Sequence, residues 1–274
     1  MSTLAKRVLA AVVLIPVVVA AILWLPTAGF AVLLGAFAIV GGHEWCRVGQ
    51  LPRALHAVFV GSITLALAGG YFALHSHVFV QIVLAMSILW WLLAFVAVLA
   101  RQRDTDFVWF EFAAVRVCAG VLILYPAWVS LVWLHAQRPT MVLFVMVLIW
   151  VADSAAYFTG RQFGRRKLAS RVSPGKSWEG VAGGLLAVIC LAAGVAVASD
   201  YSIEVSAIFV TLSFMVAVAS VLGDLIESLF KRRAGVKDSG TLIPGHGGVL
   251  DRIDSLTAAG PCFALGWLLS EGMT

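Results

Sequence analysis

Apolar residues in this chain gather into stretches close to the length of about 20 residues with which a helix covers the hydrocarbon core of a bilayer. We place nine of them, near 8–25, 28–46, 55–74, 78–100, 114–135, 140–160, 180–199, 205–227 and 252–270. Short polar segments separate them. The pattern predicts an all-α, polytopic integral membrane protein of about nine transmembrane helices. The chain reads as N-terminal transmembrane helices over 1–137, followed by a C-terminal region over 138–274. The polar segments 161–179 and 231–251 of that second region are the candidates for chemistry.

Composition agrees, with 62% hydrophobic residues and a mean hydropathy of +1.00 against roughly 45–50% apolar residues in soluble domains. Lys and Arg favour the cytoplasmic side of short loops. With Lys6 and Arg7 inside, 19 basic residues sort so that only Arg138 falls clearly outside. The N-terminus is therefore expected in the cytoplasm and the C-terminus outside. The first apolar run follows two basic residues, as in a signal peptide, yet its length and the spans after it favour a membrane helix. The net charge of +5 acts first as a topology signal and then as attraction to anionic headgroups. No interleaving of aromatic and basic residues suggests a nucleic-acid partner. Cys46, Cys118, Cys190 and Cys262 are scattered without CxxC spacing, which argues against a disulfide or zinc framework.

Charge concentrates in one place. In "KRRAGVKDSGTLIPGHGGVLDRID", Lys231 to Asp254, eight of 24 residues are Asp, Lys or Arg, against 12% charged residues in the whole chain. Just before it, Asp224, Glu227, Ser228 and Lys231 stand at i, i+3, i+4 and i+7, so they share one helical face. Part of this stripe reads equally well as a helix end with a Glu227–Lys231 ion pair. That reading leaves Asp224 unexplained. Asp153 lies eight residues before Arg161, roughly 12 Å deep at about 1.5 Å per residue. It either bonds a neighbouring helix or faces a polar cavity.

The glycines at 235, 240, 245, 247 and 248 let backbone N–H groups close on an anion, or simply make turns. Asp251 and Asp254 open the last span, where Asp251 could N-cap the helix and Asp254 could face its positive end. Carboxylates from two helices, Asp224 and Asp251, also suit Mg²⁺, which takes one or two carboxylates and completes its shell with water and phosphates. In "SPGKSWEG", Pro174 and Gly175 predict a turn, Ser177 an N-cap, and Lys176 a cation at the anion-attracting end of a helix. The Walker A spacing fails, because position 170 is Ser.

The run Ser228, Phe230, Lys231, Arg232, Lys237, Asp238, Gly240, Leu242, Pro244, His246, Gly247, Gly248, Asp251, Arg252, Asp254 resembles the signature of the phosphatidate cytidylyltransferase (CDP-diacylglycerol synthase) family. The segment from Asp153 through Tyr157, Gly160 and Gly164 to "SPGKSWEG" is similar too, so the likeness covers the C-terminal half. Many members carry Lys at Gly175 and Thr at Ser177. The resemblance implies that CTP and phosphatidate give CDP-diacylglycerol and pyrophosphate with Mg²⁺, and allows a second cation. It implies Asp224, Asp251 and Lys237 at the reacting groups, and Asp224, Asp251, Asp254 and Asp153 around metal. Substrate binding falls to Ser173, Lys176, Ser177, Glu179, Ser228, Lys231, Arg232, Asp238, His246, Gly247, Gly248 and Arg252. His246 would shape its loop or bond a phosphate. A homodimer in the inner membrane, with the active site on the cytoplasmic side, is the matching expectation. A CTP-dependent lipid alcohol kinase and an ion-coupled transporter are the rival classes.

Overall fold

A computed structural model describes residues 3–102, 108–242 and 247–271. Pro244 and His246 lie outside the described residues. The elements are α1 (Thr3–Trp24), α2 (Thr27–Val48), α3 (Arg53–Ala73), α4 (His77–Gln102), a 3₁₀ turn (Val108–Glu111), α5 (Ala113–Gln137), α6 (Pro139–Phe163), β1 (Lys167–Ala169), β2 (Ser173–Ser177), α7 (Trp178–Ala198), α8 (Ile203–Arg233) and α9 (Leu250–Glu271). Nine α-helices among the described residues thus stand where apolar stretches were read. Seven of them, α2 to α8, are long and apolar enough to cross a membrane.

Local chemistry sets several boundaries. Pro139 begins α6, where its missing N–H costs no hydrogen bond. Ser177 and Ser202 cap α7 and α8, their hydroxyls accepting from Gly180 N and Val205 N. The helices then bury apolar faces against one another or leave them for lipid. Helix α5 is central, with 72% of its apolar window buried, against 22% for α3 and α7. One core cluster joins Trp45 and Phe59 to Trp128, Phe230 and Leu250, so both parts of the chain share it. Leu65, Phe72, Leu92 and Leu186 remain exposed, as suits side chains whose surroundings are hydrocarbon rather than water. Helices α6 and α7 approach closely, and a Cβ on Gly180 would stand 2.8 Å from the Ala156 carbonyl oxygen. Small residues permit such contact between membrane helices.

The polar segment after α6 corrects one expectation. Pro174 and Gly175 do not make a turn; they lie in β2, which pairs antiparallel with β1. The chain reverses between the strands, where Val172 N donates to Ala169 O at 3.1 Å. Pro fits because both strands of a two-stranded sheet are edges, where a missing N–H is tolerated.

Contacts sort the helix ends into two groups. At one end Trp45 Nε1 donates to Arg116 O at 2.9 Å, and Arg47 donates to Ser239 O at 3.1 Å. There too Arg232 Nε reaches Val172 O at 3.4 Å and Arg233 pairs with Glu111. The segments after α2, α4, α6 and α8 therefore meet. At the other end buried His135 of α5 ties α1 to α2. Its Nε2 donates to Ile22 O at 2.9 Å, which leaves Nδ1 to accept from the Thr27 hydroxyl at 3.1 Å. Single cysteines placed at 170 and 237 in a cysteine-free variant are therefore expected to react with an impermeant thiol reagent from one face of sealed vesicles. A cysteine at 200 should react only from the opposite face; labelling of all three from one face would contradict the arrangement.

Candidate active site

The hairpin ends in Lys176, one residue before the Ser177 cap, so α7 fixes where that ammonium stands. Its Nζ lies 2.6 Å from Asp224 Oδ2 on α8. The other oxygen of Asp224 accepts from Ser228 Oγ at 3.1 Å, one turn along the same helix. Both members of the Lys176–Asp224 pair keep part of their surface open, at 24% and 30% exposure. This is the geometry of groups that can meet a ligand. Asp153 of α6 belongs to the same neighbourhood, since it feels the charges of Lys176 and Asp224. Its side chain lines a cavity and makes no hydrogen bond to a neighbouring helix among the described residues.

That cavity, of about 440 Å³, lies between α6, α7, α8 and the hairpin. Asp153, Arg161, Ser173 and Lys176 give it polar walls, while Ala156, Val181, Leu185 and Val221 make it apolar elsewhere. A ligand with charged and hydrocarbon parts would match both surfaces.

A second, more buried cluster lies beside the first. Lys231 Nζ donates to Glu227 Oε1 at 3.0 Å and to Asp251 Oδ1 at 2.7 Å. Asp251 Oδ2 accepts from Ser239 N at 2.8 Å, Ser239 Oγ at 2.9 Å and Gly248 N at 2.7 Å. Asp254 accepts from Ser255 N at 2.7 Å and feels the charges of Asp224, Lys231 and Lys176, which links the two clusters. Among the described residues, no three of His, Cys, Asp and Glu form a group that could hold a metal ion as they stand. Lys231 stands between two carboxylates, and Lys176 against one.

Other expected residues take different positions. Asp251 is not the N-cap of α9 but lies within its first turn. The N–H groups of Val249 and Leu250 are instead taken by Glu44 of α2, at 3.0 and 2.8 Å. The Ser177 hydroxyl is engaged as a cap. Glu179 accepts from the backbone N–H groups of Arg165 and Arg166, at 3.1 and 3.2 Å, and so fastens the start of the hairpin to α7. Arg232, Lys237, Asp238 and Arg252 are exposed and stand outside the lining of the cavity. Gly247 has a φ of +82°, a conformation that favours glycine. Glu44 escaped the sequence reading, although an acidic residue inside a predicted span was the signal that singled out Asp153.

Residues 5–269 match the model of the Cytidylyltransferase family. The chain belongs to this family. It is 42% identical over 268 residues to the phosphatidate cytidylyltransferase of Pseudomonas aeruginosa, covering 95% of this chain and 96% of that protein. The corresponding enzyme of Haemophilus influenzae is 41% identical over 286 residues, covering 95% and 97%. That of Thermotoga maritima is 33% identical over 280 residues, covering 100% and 99%. Membership in the cytidylyltransferase family thus extends through the N-terminal helices, well beyond the C-terminal likeness carried by the signature residues.

The inner cluster makes a stability prediction. Lys231 is 8% exposed and serves two carboxylates. Replacing one partner of a buried pair leaves an uncompensated charge, at a cost of about 3–5 kcal/mol. Lys231→Met is therefore expected to unfold well below the wild type in detergent, as followed by thermal denaturation, and an unchanged midpoint would contradict the pairing.

Proposed function

We propose that this chain transfers the cytidylyl group of CTP to phosphatidate, forming CDP-diacylglycerol and pyrophosphate. The observation that carries the reading is the Lys176–Asp224 pair at the wall of a cavity that is partly polar and partly apolar. Phosphatidate has the same two characters. Its phosphate would lie at the polar wall near Lys176, and its acyl chains along the apolar side towards Val181, Leu185 and Val221. CTP would approach from the water-facing end, over the exposed Lys237 and Arg252.

The chemistry asks little covalent work of the protein. An oxygen of the phosphatidate phosphate attacks the α-phosphorus of CTP. A P–O bond forms there as the bond to the β-phosphate oxygen breaks, and pyrophosphate leaves with that electron pair. The nucleophile is already ionised, so no Ser or Cys is needed to activate it. The difficulty is repulsion between two polyanions. Lys176, with Arg161 beside it in the wall, would offset that repulsion and hold the reactants in line.

Mg²⁺ belongs to the proposal: the carboxylates form no three-membered ligand group as they stand among the described residues, and the ion would draw them together in place of an ammonium. Five carboxylates, Asp153, Asp224, Glu227, Asp251 and Asp254, share the two ammonium groups of Lys176 and Lys231. Such a gathering of oxygen ligands suits a divalent ion. Asp224 would hold it, with Asp153 and Asp254 supporting it or a second cation. Asp251 would join when Lys231 released its Oδ1. When bound, the ion would draw charge from the leaving pyrophosphate. We further propose that all nine helices cross the inner membrane, with the N-terminus and the active site on the cytoplasmic side, and that the protein works as a homodimer. The basic residues gathered at the active-site end support that orientation.

Labelled nucleotide tests the reaction. With purified protein, phosphatidate and Mg²⁺, label in the α-phosphate of CTP is expected in lipid and label in the γ-phosphate in pyrophosphate. Transfer of γ-label to a lipid alcohol would favour a kinase, and no transfer at all a carrier. Asp224→Asn and Lys176→Met are each expected to lower turnover by about 10²–10³-fold, the usual effect of removing one electrostatic stabiliser. Chelation of divalent ions should abolish it, and retention of full activity without them would remove the metal from the proposal.

A further inference from the structure

Glu44 and Arg47 stand one turn apart near the end of α2, and both grip Ser239 in the segment between α8 and α9. Arg47 donates to the Ser239 carbonyl at 3.1 Å. The Ser239 hydroxyl lies 2.9 Å from Glu44 Oε2. Glu44 is 4% exposed, and its two oxygens also take Val249 N at 3.0 Å and Leu250 N at 2.8 Å. These are N–H groups at the start of α9, which has no earlier helical carbonyls to receive them. A carboxylate there is further favoured by the positive end of the helix dipole.

The glycines complete the arrangement. A Cβ on Gly240 or on Gly248 would strike the Glu44 carboxylate. At these two positions, then, bare backbone closes on a side chain of the protein. The loop that resembles a phosphate cradle is in part the seat of Glu44.

The grip reaches the reacting groups through Ser239. Its N–H donates to Asp251 Oδ2 at 2.8 Å, and its hydroxyl, 2.9 Å from that oxygen and from Glu44 Oε2 alike, has one proton to give to either carboxylate. Asp251 in turn holds Lys231. We propose that Glu44, assisted by Arg47, is a positioning residue for cytidylyl transfer. By clamping Ser239 and the first turn of α9 to α2, it sets where Asp251 and Lys231 stand. The clamp rests on the reaction proposed above for its catalytic consequence, and on geometry alone for its effect on the loop. Helix α9 is separately anchored farther along by buried Ala259, Phe263 and Leu268, so loss of the clamp should loosen the first turn without unfolding the bundle.

The test is hydrogen exchange together with steady-state kinetics on purified Glu44→Gln and Arg47→Gln. The glutamine keeps the size of Glu44 but offers one acceptor oxygen to donors that had two. Amides of Ser239 and of residues 248–251 are expected to exchange about 10-fold faster or more in Glu44→Gln, with the thermal midpoint retained, because local opening precedes global unfolding. The kcat should fall by about 10- to 100-fold, the scale of a misplacement near 1 Å, with KM for phosphatidate unchanged. Arg47 is exposed, so Arg47→Gln should fold whatever becomes of the buried site. It should show the same two changes at smaller size. Unchanged exchange in both variants would overturn the clamp even if the wild type makes CDP-diacylglycerol. So would an activity loss that matches the loss of folded protein, with kcat per folded molecule and exchange unaltered. Faster exchange in a protein whose wild type transfers no cytidylyl group would overturn the reaction and leave the clamp standing.

Discussion

Charge taken out of water has to be paired, and two lysines do this for the charged end of the bundle. Lys176 draws Asp224 from another helix, with Asp153 and Asp254 in its field. Lys231 draws Glu227 and Asp251 together. Each ammonium is a hub that no single helix could build. The hairpin, α8 and α9 are thereby brought to one place, and the cavity opens beside them. A chain with so little charge overall concentrates it here, where each carboxylate finds counter-charge. Such pairing is no large source of stability, since desolvation offsets much of the attraction. Its effect is to fix where the charges stand.

The apolar framework serves that end. Helix α5 is enclosed by its neighbours, while α3 and α7 turn most of their surface to the surroundings, so lipid completes the packing. Small residues let α6 and α7 run close together, and the cavity lies beside them, lined by Asp153 and Lys176. A substrate with an ionic head and hydrocarbon tails would meet like surfaces in both parts. Membership in the cytidylyltransferase family and this match of surfaces point to the same class of reaction.

Much of the fold was legible in the sequence because runs of apolar residues are local facts. Each of the nine stretches became a helix, with ends displaced by a few residues. Within a helix the site was legible too, for the spacing put Asp224 and Ser228 on one face, where they bond, and foretold the Glu227–Lys231 pair. The hairpin was missed because β1 has three residues, too few for a period to show. The partner of Lys176 was not foreseen, since no spacing rule relates a residue before α7 to one deep in α8. Glu44 was missed for the same reason, and its effect is plain only once Gly240 and Gly248 are seen closing on it. Asp251 looked like a cap because a carboxylate at a helix start usually is one; here another helix supplies the cap and frees Asp251 for Lys231.

The central claim is that Lys176 and Asp224 act as one unit at the reacting phosphates. A double-mutant cycle on kcat/KM for cytidylyl transfer, using Lys176→Met, Asp224→Asn and the combined variant, tests this most directly. Residues in one network couple by about 0.5–3 kcal/mol. The account predicts that the double variant is little worse than the poorer single one, with a coupling near the upper part of that range. Losses that simply add would show that the two groups act separately and would contradict it.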